Sequence, residues 1–112
     1  MTTSKNDMLI VTTDAVAGQE IAEVLGLVRG STVRAKHLGT DIVAGLRNLV
    51  GGEVREYASL LAGSREQAID RMIDEAYQLG ADAIVAARVQ TSMIQQGASE
   101  VLAYGTAVRL KR

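Results

Sequence analysis

A chain of 112 residues has room for one domain, and a domain of that size buries roughly two-thirds of the surface its unfolded form exposes. With 47% hydrophobic and 22% charged residues it is neither disordered nor collagen-like, and a net charge of −1 without a basic face speaks against a nucleic-acid binder. It contains no cysteine, which excludes disulfides, thiolate zinc sites and thiol catalysis and fits a cytoplasmic location.

The opening residues 1–7 are polar and lack the apolar core of a signal peptide, so they read as a flexible tail ahead of a single domain over 8–112. No apolar run approaches the ~20 residues of a membrane span. Met8 to Thr12 is a short β-rich run and the first expected strand. Gln19 to Ala35 carries Ile21, Val24, Leu25 and Val28 at helix-compatible spacing. Glycines at 18, 26 and 30 and the β-branched composition favour instead a strand, bent or bulged at Gly26 and Gly30.

Thr40 is an expected N-cap with Asp41 in the first turn. Ile42, Val43, Leu46, Leu49 and Val50 form the apolar stripe of a helix stopped by Gly51-Gly52. A longer helix is expected over Glu53 to Leu79. Its stripe is Val54, Tyr57, Ala58, Leu61, Ala68, Ile69, Met72, Ile73, Ala76 and Leu79. Gly63-Ser64 could split it, Ser64 and Gln67 having capping-box spacing, but the stripe keeps phase across the gap and predicts one helix. Gly80 is its C-terminal glycine. Residues 80–110 then form a hairpin with its loop over Gln95 to Ser99, and both faces of it are too apolar for water.

These elements predict an α+β fold with a mostly antiparallel sheet and two packed helices in the order β-β-α-α-β-β. One small chain has too few helices to cover both faces of such a sheet, which predicts a homo-oligomer.

Four segments carry a family resemblance: Leu25 to Gly30, Ile42 to Glu53, Gly80 to Val85, and Tyr104 to Val108. In that order and spacing the chain resembles, over residues 8–110, the YbjQ-like family of small bacterial proteins described as "putative heavy-metal-binding". The resemblance implies a compact α/β subunit assembled into rings, as pentamers. It implies no established activity and supplies no ligand set that maps onto positions here.

The chemistry-bearing residues are sparse. Soft metals prefer thiolates, and the chain has none. His37 is the one histidine and reads as a surface loop residue; it becomes a ligand only if copies around a symmetry axis share a site. Asp41 lies four residues on, across Gly39-Thr40. Met8, Met72 and Met93 are potential Cu(I) donors, with Met72 reading as core. Glu66, Asp70, Arg71, Asp74 and Glu75 form the solvated face of the long helix rather than an acid–base pair. Asp82 reads as a turn residue, and Thr106 as β-branched packing. Gly51-Gly52 reads as a helix break, with Glu53 opposing any anion there. Arg65 falls on the apolar stripe, either in an inter-subunit salt bridge or with its stem along the core edge. C-terminal Arg109, Lys111 and Arg112 make at most a weak basic patch.

No catalytic residue is assigned and no enzyme is expected. The expected role is a binding or structural one in a homo-oligomer. The alternative is a heavy-metal or small-ligand protein with sites at subunit interfaces, the metal's identity unknown. The partners expected are further copies of the chain, not nucleic acid or a membrane. An enzyme built across two subunits from residues such as Arg65 and Asp82 is a third reading.

Overall fold

The structure, a computed structural model, describes residues 3–35, 52–95 and 98–112. A single 3-10 turn over Lys5–Asp7 precedes strand β1, Leu9–Ile10. Strand β2 is Ile21–Ala35, helix α1 is Gly52–Gln78, and strands β3 and β4 are Ala83–Gln95 and Ala98–Leu110. The strands form one sheet in the order β1-β3-β4-β2. β4 runs antiparallel to both β2 and β3, and β1 runs parallel to β3.

This corrects the expected fold. The sheet is mixed, not antiparallel in the order β-β-α-α-β-β, and the described residues contain one helix rather than two. The short β1 run pairs through Leu9 with Ala83 and through Ile10 with Ile84, across the helix in sequence. Parallel pairing follows because an intervening helix returns the chain to the same end of the sheet. The helix expected over 42–50 lies outside the described residues, as do its cap Thr40 and Asp41, the stop at Gly51, and His37.

The longer helix is continuous from Gly52 to Gln78, as its unbroken phase predicts. Ser64, Ala68, Met72 and Ala76, four apart, are buried against the sheet, with Ile69 and Ile73 half-buried beside them. Arg65 therefore sits about 100° off the buried line and is exposed. The helix ends in a Schellman motif. Gly80 N donates to Tyr77 O at 3.0 Å and Ala81 N to Ala76 O at 3.1 Å, with Gly80 at φ 79°.

The apolar residues sort onto two sides of the sheet. Val28, Ile84, Val101, Ala103 and Ala107 meet the helix and form the main core with Met8 and Met72. On the opposite side Ala83, Val85 and Val108 form a smaller cluster, covered by Val16 from the loop after β1. A β-bulge sets Ala86 and Ala87 opposite Gly105, with Ala86 at φ 53°. A Cβ on Gly105 would stand 2.6 Å from Ile84 Cγ2 and 3.2 Å from Ala87 Cα, so the bulge presses where a side chain is missing. Of the two bends expected in β2, the one at Gly26 is present, whereas the register runs unbroken through Gly30. β2 shifts register between Val24 and Gly26, and Gly26 takes φ 130°.

Candidate functional site

Asp82, at the turn from α1 into β3, joins three parts of the chain. It is 8% exposed, and its oxygens accept hydrogen bonds from Thr3 Oγ1 at 2.6 Å, the Leu110 amide at 2.9 Å and an Arg112 guanidinium nitrogen at 2.7 Å. The sequence placed it in local turn bonding; the structure uses it as a tie between residue 3 and the last residues of the chain. Burial pushes its carboxyl up, but the Thr3 and Leu110 hydrogen bonds and the Arg112 charge outweigh that and hold it below the ordinary value.

Beside Asp82 lies a groove of about 310 Å³ lined by Thr3, Tyr77, Gln78, Gly80 and Ala81. Thr3 forms part of its wall, and Lys5 pairs with Asp74 on the helix. Arg109 donates to the helix-terminal carbonyls of Gly80 at 3.2 Å and Leu79 at 3.4 Å and pairs with Glu23 at 2.8 Å. Lys111 pairs with Glu20 at 3.1 Å. The three C-terminal cations thus each face a carboxylate, which disperses the patch the sequence suggests.

The other expected donors do not converge. Met8 and Met72 are in the core, whereas Met93 is 79% exposed on β3. Glu66, Asp70, Arg71 and Glu75 lie exposed along α1, and Asp74 is half-buried against Lys5. Arg71 reaches back to donate to the Ser31 carbonyl. Among the described residues no three His, Cys, Asp or Glu side chains stand together as a metal site. Both Asp82 oxygens are already engaged by donors. The described residues of one chain therefore do not fit a bound heavy metal.

The largest unsatisfied feature is the sheet itself. Leu27 and Val33 of β2, 65% and 58% exposed, point away from the helix in register with Thr106 and Glu100. Val24, at 64%, shares that side. Among the described residues helix α1 packs chiefly on β2 and β4, and residues 88–93 of β3 are all exposed. The expectation of two wet apolar faces on the hairpin is corrected: Ala83, Ile84, Val85, Val101, Ala103, Ala107 and Val108 are buried within the chain, whereas Val24, Leu27 and Val33 of β2 are exposed. The Asp82 tie had no sequence signal, since its partners are 28 to 79 residues away.

Among the described residues the fold is one α-helix packed on a four-stranded mixed sheet. The pattern of the family described as "Putative heavy-metal-binding" matches residues 8–111, and the chain belongs to that family, YbjQ. The chain is 56% identical over 103 residues to a UPF0145 protein of Methanosarcina acetivorans, covering 92% of this chain and 97% of that one. It is 55% identical to a UPF0145 protein of Archaeoglobus fulgidus, covering 96% and 99%, and 54% identical to UPF0145 protein TTHA1944 of Thermus thermophilus, covering 94% and 92%. The family thus extends from bacteria, as expected, into archaea. A crystal structure of a protein of unknown function from Pediococcus pentosaceus, assigned to the DUF74 family, shares the fold with a TM-score of 0.62 at 17% identity, covering 93% of this chain and 98% of that one. Among the described residues no helix is long and apolar enough to cross a membrane.

Proposed function

We propose that this chain acts in the cytoplasm as a homo-oligomer with a binding or structural role rather than as an enzyme, five being the subunit number that the family resemblance implies. The observation that carries the reading is that, among the described residues, Val24, Leu27 and Val33 of β2 and Val89 and Met93 of β3 are exposed. Apolar side chains on that surface gain by leaving water at roughly 25 cal/mol per Å². Size exclusion with light scattering at micromolar concentration tests the proposal. A mass that is a multiple of 11.9 kDa is expected, and a clean single-chain mass defeats it.

A second reading, metal or small-ligand binding at subunit interfaces, is supported by the family's description and by one histidine per chain that symmetry would multiply. Calorimetric titration with Zn²⁺, Cu²⁺ and Ni²⁺ decides it. Heat that disappears in His37→Ala supports an interface site at that residue, and no heat with any of the three removes the metal.

A further inference from the structure

Two arginines and a tyrosine stand in one row across the sheet. Tyr104 of β4 is in register with Arg29 of β2 on one side and with Arg88 of β3 on the other. Directly opposed residues share a face, with neighbouring Cβ atoms about 5 Å apart. That face is the one away from the helix, because Ala103, one residue before Tyr104, lies in the core beneath α1. Arg29 and Arg88 are exposed and Tyr104 is half-buried. Two strand irregularities create the row. Between Val85 and Arg88, β3 carries one residue more than β4, and Ala86 takes φ 53° there. β2 carries one residue more than β4 between Val24 and Gly26. An inserted residue moves every later side chain to the other face. Without the insertions Val28 and Ala87 would stand beside Tyr104, and both arginines would turn toward the helix.

The charge of this row is not neutralised. Lys5, Arg109, Lys111 and Arg112 each pair with a carboxylate, whereas Arg29 and Arg88 make no ion pair among the described residues. Arg88 spends Nη1 on two neutral acceptors, the Thr12 and Ala87 carbonyls, both at 2.9 Å. Those bonds hold the guanidinium and leave its Nε and Nη2 edge, a fork that fits an oxyanion bidentately. Asp14, in the loop that carries Thr12, forms no ion pair with it. The flanking rows on this face, Leu27 with Thr106 and Val85, and Ser31 with Leu102 and Gln90, contain no carboxylate. The carboxylate of β4 is Glu100, about 13 Å along the strand from Tyr104.

We propose that Arg29, Tyr104 and Arg88 bind a phosphoryl oxyanion, as free phosphate or as the phosphate of a small ester, on the face of the sheet away from the helix. The guanidiniums supply charge and paired N–H donors from two sides, and the phenol between them adds a hydroxyl donor. A phosphoryl group suits the row better than a carboxylate, because its greater charge and additional oxygens can engage both arginines at once. The strained backbone at Ala86 then has a use, since strain persists where it positions a functional group. The inference stands on a single chain. It goes beyond the binding or structural role above and does not depend on the oligomer.

Protein carrying isotope-labelled arginine is titrated with inorganic phosphate, methyl phosphate and acetate at constant ionic strength, and the arginine Nε–H resonances are followed by NMR. Saturable shifts at Arg29 and Arg88 with a phosphate are the expected result, and the tighter of the two phosphates names the source. Arg29→Gln and Arg88→Gln, each read on the remaining arginine, should weaken that binding at least ~10-fold. Arg65→Gln, which removes an exposed charge from the helix instead, should leave it unchanged. Arg88→Gln also removes the bonds to Thr12 and Ala87, so Arg29→Gln decides the matter if that variant misfolds. No saturation by ~20 mM phosphate, beyond the range of weak specific binding, overturns the proposal. An equal loss in Arg65→Gln shows attraction by general charge and overturns it, as does acetate binding as tightly as phosphate. None of these outcomes bears on the oligomer.

Discussion

Gly30 sets how near helix α1 lies to the sheet. A Cβ there would fall against the Ala68 carbonyl oxygen, 2.5 Å from Met72 N and 2.7 Å from Arg71 Cβ. Two of these three are backbone atoms that no rotamer change can move. Gly30→Ala should therefore cost at least about 1–3 kcal/mol by overpacking, read as a lower urea midpoint. The sequence flagged Gly30 as a bend; its use is close approach, and only the helix opposite reveals that. Asp82 carries a different dependence. Its carboxyl keeps its charge to lower pH in the folded chain than in the unfolded one. Its contribution is complete above the ordinary value of 3.8 and is lost as pH falls through the lower folded value. Unfolding midpoints measured from pH 7 down to pH 2 should show a fall in that acid range that is smaller in Asp82→Asn. Asp82→Ala should lower stability at pH 7 by about 1–3 kcal/mol, because the Leu110 amide loses its acceptor. An unchanged midpoint would remove the tie between the two ends of the chain.

At the scale of elements, β3 changes character at its bulge. Ala86 holds a left-handed backbone at φ 53°, which an L-residue adopts at a cost of roughly 1 kcal/mol. Its amide is anchored on Thr13 O, and the neighbouring Arg88 guanidinium donates to Thr12 O at 2.9 Å. Ala86→Gly should raise stability by up to about 1 kcal/mol, offset in part by the freer unfolded chain, and thermal denaturation would show it. A loss of stability instead would mean that the Ala86 methyl makes packing contacts worth more than the strain. Element identity was largely legible. Residues 52–78 kept a helical phase through Gly63, and β2 was read as a strand bent at Gly26 despite its helix-compatible spacing. Arg65 falls on the expected stripe because it lies four residues from both Leu61 and Ile69, yet it is exposed. The position that packs is Ser64, whose carbonyl accepts the Thr32 hydroxyl at 3.1 Å beneath the helix.

At the scale of the whole molecule, the topology was the least legible feature. A two-residue strand such as Leu9–Ile10 has no alternation from which its partner or direction can be read. Its parallel pairing with β3 depends on where the helix returns the chain, which is a long-range property. The two apolar faces of the hairpin, by contrast, are visible in its periodicity, but what covers them is not: the helix buries one and Val16 packs on the other. The apolar residues left exposed include Val24, Leu27 and Val33 of β2 and Val89 and Met93 of β3.

Amide hydrogen exchange over residues 88–95, followed by mass spectrometry on the native protein at micromolar concentration, tests the cover on this strand directly. If a neighbouring copy covers it, the amides on its outer edge exchange orders of magnitude more slowly than in an unstructured peptide, beyond the protection that β4 alone confers. Exchange confined to β4-facing protection, with the remaining amides labelling at the unprotected rate, would show the outer strand standing in water and would contradict the account.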